Sequence, residues 1–580
     1  MKKKVLLSTI LTVALITSLA GCGRKSDSQT VEDSETAVAE ETISEDEPET
    51  ETIVVQDAES EAENLEASDD KESPFLNIVA TNVNATGADV AHDRYQIVDL
   101  NYTKIDLDYS YVEQYPELAK ALADASQTLD SEQEAEFDRL IDKYMEFETS
   151  DSEDYITYES SALSKVLRAD KRVVSTLNNY YSYEGGAHGY YMVNGTAYDV
   201  ESGKRLSISD VVKDEKDFTK KIQERLEEKY PDAGFVVDLD SYFEEVSNGE
   251  HELNWSIDYS GVTIYFEPYD IASYADGLLT VRFSFLADSD LLIEKYAEVP
   301  EDYITPVTTW TDTYADVNGD GKEEAIKLFG MTPEAEWGAY EWTWQIGDNE
   351  IKDAIESYDN KSYLVKKNGK FYAYMFNTVE NDYQILSIVD IASGNELGGE
   401  YGMGNYGFHI RDYAYNDDIS WNAINEFINP DQFELDSRMD VFGTYSAVKT
   451  YYIGEDGRPV SDDEFFTVDR MGYMITPVKD IPGTLIDKDG NVIEENVTVP
   501  KDTMLRIIRT DGENTADLQA WDYEIEPNDY GDDYPYRLTY DPVDLSKGSF
   551  YRIEYEVDDY DMLINGESIF NLFEGMMFAG

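Results

Sequence analysis

Residues Tyr180–Val200, with the sequence YYSYEGGAHGYYMVNGTAYDV, predict two strands joined by a glycine-rich loop. Tyrosine, valine and threonine favour strands, and glycine permits the positive φ angles and close backbone approach of a sharp turn. One histidine lies among these glycines. We expect the loop to act through its shape, in packing or in recognition, with the candidate contact residues Gly185, Gly186, His188, Gly189, Tyr190 and Tyr191.

Metal ligation and catalysis by His188 are alternatives that the sequence leaves open. A hydrolase needs a nucleophile, a base and an orienting acid, yet the chain has no G-x-S-x-G motif. The other histidines, His92, His251 and His409, are distant in sequence, and no H-x-x-x-H pair indicates a zinc site. We therefore assign no catalytic residue.

The composition indicates a β-rich protein with a strong negative charge. The chain has 580 residues, which predicts about two to four domains. Its formal net charge of -78, from 123 acids against 45 bases, repels nucleic acid and anionic lipid. We therefore expect the partners of this chain to be neutral molecules, cationic molecules or metal ions. The 45 tyrosines favour strands over long helices.

The N-terminus predicts an anchored, extracytoplasmic protein. Three lysines precede an apolar run, Val5–Leu19, that is short for a membrane-spanning helix and is typical of a secretory signal. The run ends in Leu19-Ala20-Gly21-Cys22, which resembles the bacterial lipobox, whose cysteine is acylated. We predict a lipoprotein signal at 1–22, lipidation of Cys22 and attachment to the cell membrane through that lipid. The alternative is an ordinary cleaved signal followed by a free cysteine.

Residues 23–74 are rich in Asp, Glu, Ser and Thr and show no apolar period. Such a segment buries too little apolar surface to offset its chain entropy, so we predict a disordered acidic tether. An acidic binding tail is the alternative. Folded structure is expected to begin at Phe75.

An α+β module is predicted for residues 75–300. Val98–Tyr111 is interpreted as a pair of strands, and Tyr115–Phe147 carries apolar residues three or four apart, as in a helix. Strands are predicted at Tyr155–Leu167 and Arg172–Tyr183, and a helix at Phe218–Tyr230 that Pro231 ends. Strands and helices in this order favour the α+β class.

Three motifs in this module carry a family resemblance. They are the helix sequence YPELAKALADASQTL, the loop sequence around His188 and YFEPYDIASYADG at Tyr265–Gly277. Together they resemble the extracytoplasmic domain shared by the lysozyme-responsive anti-sigma factor RsiV and the non-catalytic region of the peptidoglycan deacetylase PdaC. The resemblance covers Phe75 to about Pro300.

This resemblance implies a sensing or binding role. A cationic protein such as a lysozyme-type muramidase is the implied partner, and a cell-wall glycan is a second one. The chain departs from the anti-sigma factor because only MKKK precedes the apolar run, which leaves no sigma-binding segment. It departs from the deacetylase because no TFDDGP-like catalytic motif follows residue 300. A binding or sensing lipoprotein is therefore the expected function, with an unrecognised cell-wall hydrolase or a structural wall protein as alternatives.

The segment DTYADVNGDGKEEAIKLFG predicts a calcium-type loop. Asp316, Asn318 and Asp320 alternate, Gly321 permits the turn, and Glu324 follows, an oxygen spacing that suits a hard cation. The Lys322 carbonyl would supply a further ligand. The loop is not an EF-hand, because Lys327 stands where that motif needs glutamate, and it resembles the short loops of integrin-like propeller blades. A plain turn built on Asn-Gly and Asp-Gly is the alternative.

Residues 301–475 otherwise predict a β-rich, propeller-like region, and 476–580 predict a small β-domain. Plain hairpin turns are expected at Asn368-Gly369, Asp456-Gly457 and Asp489-Gly490. The segments YLVKKNGKFYAYMF and YQILSIVDIASGNEL are each predicted to form a hairpin. Tryptophan and tyrosine side chains also stack on sugars. Their spacing alone does not locate a glycan groove.

Overall fold

The computed structural model describes twelve segments of the chain: residues 73–89, 94–147, 156–331, 339–379, 384–397, 408–410, 412–413, 423–468, 472–522, 538–539, 543–558 and 561–578. All of them belong to one compact unit, Ser73–Gly580. Cys22 and nearly all of the predicted tether lie outside the described residues. Of the described residues, 49% are in strands and 17% in helices, and no sheet among them closes into a barrel.

The first part of the fold contains five strands and two helices: β1 (Ile78–Asp89), β2 (Arg94–Leu107), α1 (Tyr109–Val112), α2 (Pro116–Phe147), β3 (Tyr158–Ala169), β4 (Val173–Tyr183) and β5 (Tyr190–Asp199). The 3.6-residue spacing in α2 buries Leu118, Leu122, Leu140 and Tyr144. This confirms the predicted helix. The pair of strands predicted at Val98–Tyr111 is wrong, because Val98–Leu107 belongs to the single strand β2, and the Asp108 carboxylate then accepts the Ser110 N–H and starts α1.

The second part packs helices on a small antiparallel sheet. Its elements are α3 (Ile208–Val211), α4 (Glu215–Lys229), α5 (Leu239–Ser247), β6 (Asn254–Ile257), β7 (Gly261–Phe266), β8 (Leu279–Ser284) and α6 (Glu294–Ala297), with a 3₁₀ turn at Tyr274–Asp276. Phe218 and Leu226 of α4 share one core with Phe243 of α5 and Ile264 of β7. The helix predicted at Phe218–Tyr230 is confirmed.

Two antiparallel sheets follow. Their strands are β9 (Tyr303–Val307), β10 (Thr313–Ala315), β11 (Glu324–Met331), β12 (Glu341–Ile346), β13 (Asn349–Lys352), β14 (Asp359–Lys367), β15 (Lys370–Thr378), β16 (Gln384–Asp390) and β17 (Asn395–Glu396). One sheet runs β10-β11-β12-β13, and the other runs β17-β16-β15-β14-β9. Asn368 and Gly369 both have positive φ and close the β14–β15 hairpin, as predicted.

The last part is dominated by one antiparallel assembly of thirteen strands, and a separate three-stranded sheet lies near its C-terminal end. The strands from residue 408 onward are β18 (Phe408–Ile410), β19 (Asp412–Tyr413), β20 (Ala423–Asn425), β21 (Phe433–Asp440), β22 (Thr444–Ile453), β23 (Pro459–Val460), β24 (Phe466–Thr467), β25 (Gly472–Pro477), β26 (Ile481–Ile486), β27 (Val492–Val499), β28 (Leu505–Thr510), β29 (Thr515–Ala520), β30 (Leu538–Thr539), β31 (Ser549–Glu554), β32 (Glu556–Asp558), β33 (Asp561–Ile564), β34 (Glu567–Ser568) and β35 (Phe573–Glu574), with a 3₁₀ turn at Ile569–Asn571.

Strands from distant parts of the chain meet in the first sheet, whose order is β19-β20-β1-β2-β3-β4-β5. β2 and β3 are parallel, because α2 carries the chain across between them. β20 pairs antiparallel with β1, with Val79 opposite Asn425. The boundaries at 300 and 475 stay predictions, but β20 and the thirteen-stranded assembly connect residues on both sides of each.

A buried charge cluster also joins the second part to the β10–β11 hairpin. Arg282 in β8 donates two hydrogen bonds to the Asp258 carboxylate, at 2.8 and 2.9 Å. Its Nε donates to Glu323 at 3.1 Å, and its guanidinium lies 4.8 Å from the centre of the Tyr314 ring. The pairing satisfies charges that would otherwise be costly to bury.

Candidate functional site

Two sequence segments that lie about 80 residues apart form one surface beside β4 and β5. The His188 ring stacks on Tyr274, with ring centres 4.2 Å apart and planes at 25°. The Tyr274 hydroxyl donates to the Gly189 carbonyl at 3.1 Å. We call this the His188 surface and define it by His188, Tyr190, Glu267, Tyr269, Asp270 and Tyr274.

Glycine geometry gives the loop its shape. Gly185 has a φ of +79°, at which a side chain would strain the backbone, and a Cβ on Gly189 would lie 2.4 Å from the Tyr181 ring, so that ring would have to shift. The His188 Nδ1 lies 2.9 Å from the Gly189 carbonyl, a contact in which the Nδ1–H donates. His188 itself is exposed. The loop therefore presents its histidine to solvent, stacked on the Tyr274 ring.

The facing segment contains an unusual backbone conformation at Tyr269. Its φ is +74°, which non-glycine residues rarely adopt, and its N–H donates to the Ala272 carbonyl at 3.1 Å. The Tyr269 side chain is 58% exposed. Strained residues of this kind concentrate at functional sites, where the surrounding structure holds them. Tyr269 is therefore a candidate contact residue that the sequence interpretation did not single out.

Two carboxylates give the surface its electrostatic character. Burial raises the pKa of Glu267, and the Asp270 charge raises it further, although hydrogen bonds from Tyr190 and Asn254 oppose the rise. Burial also raises the pKa of Asp270, against a hydrogen bond from Tyr242 and the nearby His251, whose Nε2 is 3.9 Å from the carboxylate. Both groups would gain from a cationic contact, because a positive charge favours their ionised form.

Chemically, this surface suits binding. It offers exposed aromatic faces for stacking and cation–π contact beside carboxylates that accept hydrogen bonds. Among the residues described, no group of three or more His, Cys, Asp or Glu side chains converges to hold a metal ion.

The predicted calcium loop, Asp316–Glu324, connects β10 to β11 and satisfies its own backbone. The Asp316 carboxylate accepts the N–H groups of Asp320 and Gly321 at 3.0 and 2.9 Å. The Asn318 side-chain oxygen accepts the Asp320 N–H at 2.8 Å, and Glu324 accepts the Val317 N–H at 3.0 Å. Asp320 accepts the Lys322 N–H at 2.9 Å. These side-chain oxygens accept hydrogen bonds from backbone N–H groups of the loop itself, as the oxygens of a plain turn also would.

The predicted lipidation site, Cys22, lies outside the described residues. In the segments that the structure does describe, we find no helix with the length and apolar character needed to cross a membrane. The longest described helix, α2, is amphipathic and packs against the first sheet.

Comparisons with known proteins identify one domain. A family model described as "Protein of unknown function (DUF3298)" matches residues 208–285. The match includes Glu267, Tyr269 and Tyr274, whereas the loop Gly185–Tyr191 precedes it. No curated protein matches the chain.

Two solved structures are similar to part of the chain. A DUF3298 family member from Bacteroides fragilis shares 18% identity with a TM-score of 0.30, over 38% of this chain and 96% of its own. A DUF3298 family protein from Pseudomonas aeruginosa shares 15% identity with a TM-score of 0.27, over 40% of this chain and 99% of its own. The comparisons name neither the anti-sigma factor nor the deacetylase. Residues 208–285 carry a DUF3298 domain, the domain that those two proteins share.

Proposed function

We propose that this chain is a membrane-anchored, extracytoplasmic binding or sensing protein whose His188 surface contacts a basic protein. A lysozyme-type muramidase is the candidate partner. The observation that carries the proposal is the exposed Tyr269 side chain, which has a positive φ and is flanked in sequence by two carboxylates, Glu267 and Asp270. The net charge of -78 supports it, since a basic partner would be attracted over long range.

The contact chemistry follows from the groups present. Lysine and arginine side chains of a partner would bind the carboxylates and lie on the tyrosine faces. A rigid aromatic side chain adds contact area with little loss of conformational entropy. The stacked pair of His188 and Tyr274 would present such a preorganised face.

Surface plasmon resonance of the full chain against lysozyme tests this proposal. Tyr269→Ala should raise the Kd at least about tenfold, as for a central aromatic contact. The matched control is Tyr109→Ala, because Tyr109 is 89% exposed and lies in α1, away from this surface. Higher salt should weaken binding mainly through a slower on-rate.

Three results would overturn the proposal. They are no binding at low salt, equal binding by an unrelated protein of similar acidity, and equal effects of the two tyrosine variants. Hydrolysis of peptidoglycan fragments that His188→Ala abolishes would favour the hydrolase alternative instead.

The anchor is a separate part of the proposal and rests on Leu19-Ala20-Gly21-Cys22. Acylation of Cys22 would hold the protein at the membrane, and two or more acyl chains are needed for stable attachment. Metabolic labelling with a fatty acid should mark the native chain and not Cys22→Ser. An unlabelled, released wild-type protein would contradict the anchor.

Calcium binding to the Asp316–Glu324 loop is a further proposed property. Carboxylate oxygens that accept one N–H keep lone pairs for a cation, which supports it. Calorimetry of the full chain should show a site with a Kd of about 10⁻⁴ to 10⁻³ M, as in extracellular modules. Asp320→Ala should remove that heat and Asp489→Ala should not. Equal heats, or none, would leave only a turn.

A further inference from the structure

A polar groove of about 500 Å³ lies on the first sheet and is separate from the residues that define the His188 surface. Its floor is formed by β1, β2 and β3, and Trp310 and Lys361 line it from beyond β9 and from β14. The Thr305 hydroxyl in β9 donates to the Leu167 carbonyl in β3 at 3.0 Å and fixes the two sheets together. The volume falls within the range of small-molecule sites.

The floor side chains share one face of the sheet. Asn82 lies opposite Thr103, whose hydroxyl donates to the Asn82 side chain at 2.7 Å, and Asn84 lies opposite Asn101. The intervening residue Tyr102 points the other way, because its hydroxyl donates to Asp130 of α2 at 2.8 Å. Amides and hydroxyls therefore line the face away from α2.

One lining carboxylate has an oxygen without a donor among the described residues. Glu426 is only 8% exposed, and its Oε2 is buried with no hydrogen bond from the part of the chain that the structure describes. A buried carboxylate oxygen without a donor is costly, which marks it as an acceptor for a ligand hydroxyl or N–H. Glu426 follows β20, the strand that adds to β1, and its N–H donates to the Ile78 carbonyl at 2.9 Å.

We propose that this groove binds a short, neutral oligosaccharide. Side-chain amides and hydroxyls match the hydroxyl and acetamido groups of a sugar, and Trp310 and Tyr181 supply aromatic surface for its apolar faces. Lys165 and Lys361 offset acids of the lining, whereas the net charge of the whole chain disfavours anionic ligands.

A peptide cannot add as a strand at β2 or β3, because both are hydrogen-bonded to described strands on each side. β20 pairs with β1 only at Val79–Thr81, so among the described strands the rest of β1 pairs with β2 alone. The groove is proposed to recognise its ligand through side chains. This proposed role does not depend on protein binding at the His188 surface.

Calorimetric titration of the full chain with a tetramer of N-acetylglucosamine tests the proposal. The wild type should bind saturably, and Glu426→Gln should weaken binding by about tenfold, because the amide is a poorer acceptor than the carboxylate. Asn84→Ala should also weaken it. Asn84 is exposed, so this variant keeps the test decisive if Glu426→Gln fails to fold. Asn395→Ala is the matched control, since Asn395 is exposed in β17.

The two proposed sites are distinguishable by their variants. Tyr269→Ala should leave the sugar affinity unchanged, and Glu426→Gln should leave lysozyme binding unchanged. No heat with the tetramer would overturn the groove proposal. So would equal affinities of wild type, Asn84→Ala and Asn395→Ala, or binding of a sugar-free cell-wall tetrapeptide in place of the tetramer.

Discussion

At the scale of single residues, a largely buried cluster of ion pairs joins separate parts of the chain. The Asp258 carboxylate accepts hydrogen bonds from both terminal nitrogens of Arg282. It also accepts the backbone N–H groups of Ser260 and Gly261, both at 2.8 Å. Burial alone would raise the pKa of Asp258, but Arg282 and these donors outweigh burial and hold that pKa below its ordinary value. The ionised carboxylate is thus a stabilising group.

Asp258→Asn should lower the free energy of unfolding by about 3 kcal/mol at pH 7, because it removes a negative charge that balances the Arg282 guanidinium. The depressed pKa sets the pH dependence. Stability from Asp258 is present above its unfolded pKa of about 3.9 and is lost as the pH falls through the lower folded pKa. Denaturant unfolding should therefore show a constant difference from about pH 5 to 8, and a smaller one below about pH 4.

The exposed pair of Lys120 and Asp124 provides the control for Asp258→Asn. Solvent screens that pair, so Asp124→Asn should leave the unfolding midpoint unchanged. A similar loss in both variants would contradict the special role of the buried cluster.

Glu267 should behave in the opposite way. Burial and the Asp270 charge raise its pKa, so the native state holds its proton more tightly than the unfolded chain does. Its contribution to stability falls as the pH rises from the unfolded value of about 4.3 through the folded pKa. Glu267→Gln should therefore raise the free energy of unfolding at pH 7, with no gain below about pH 4, and should weaken lysozyme binding.

Glu350→Gln is the control for this prediction, since Glu350 is exposed in β13. It should change neither stability nor binding. A Glu267→Gln variant that is less stable at pH 7, or that binds lysozyme as the wild type does, would show that Glu267 serves structure rather than recognition.

At the scale of elements, the β4–β5 hairpin provides a matched pair of glycines. A Cβ on Gly189 would lie 2.4 Å from the Tyr181 ring, whereas the nearest atom to a Cβ on Gly186 is 3.6 Å away. Gly189→Ala should lower the free energy of unfolding by about 1–3 kcal/mol, as overpacking does, and Gly186→Ala should leave it nearly unchanged. Denaturant unfolding of both variants measures the difference, and equal values would mean that the loop relaxes freely.

Local patterns in the sequence predict many of these elements. Apolar spacing predicts α2 and α4, and Asn368-Gly369 predicts a hairpin whose two turn residues have positive φ. The interpretation of Val98–Tyr111 failed because the cap at Asp108 was read as part of a strand. The Asp316–Glu324 motif predicts a turn, but the spacing of its residues does not show which N–H groups donate hydrogen bonds to its oxygens.

Contacts between distant residues could not be predicted in this way. The stacking of His188 on Tyr274 and the pairing of Val79 with Asn425 depend on how sheets assemble, which leaves no periodic signal. The sequence did single out both segments of the His188 surface. It could not show that they meet, nor that Tyr269 has a positive φ.

At the scale of the whole molecule, residues 75–300 are joined to the rest of the chain in two places. β20 pairs with β1 at Val79–Thr81 in the first sheet. Glu323 completes the Arg282 cluster from outside residues 208–285. A chain ending at Pro300 would therefore expose a sheet edge and leave a buried arginine with one partner fewer.

The fragment Ser73–Pro300 tests whether the predicted boundary at residue 300 marks an independent domain. We expect it to unfold about 10 °C below Ser73–Gly580, because it loses one side of the Arg282 pairing and the strand that covers β1. The open edge of β1 should also make it self-associate, which sedimentation would detect. In the fragment, Asp258→Asn should further reduce the midpoint, since Asp258 is then the only carboxylate that pairs with Arg282. A monomeric fragment with the midpoint of the longer chain would instead establish residues 75–300 as an autonomous module, and the contacts from β20 and Glu323 would then serve to orient the sheets rather than to stabilise them.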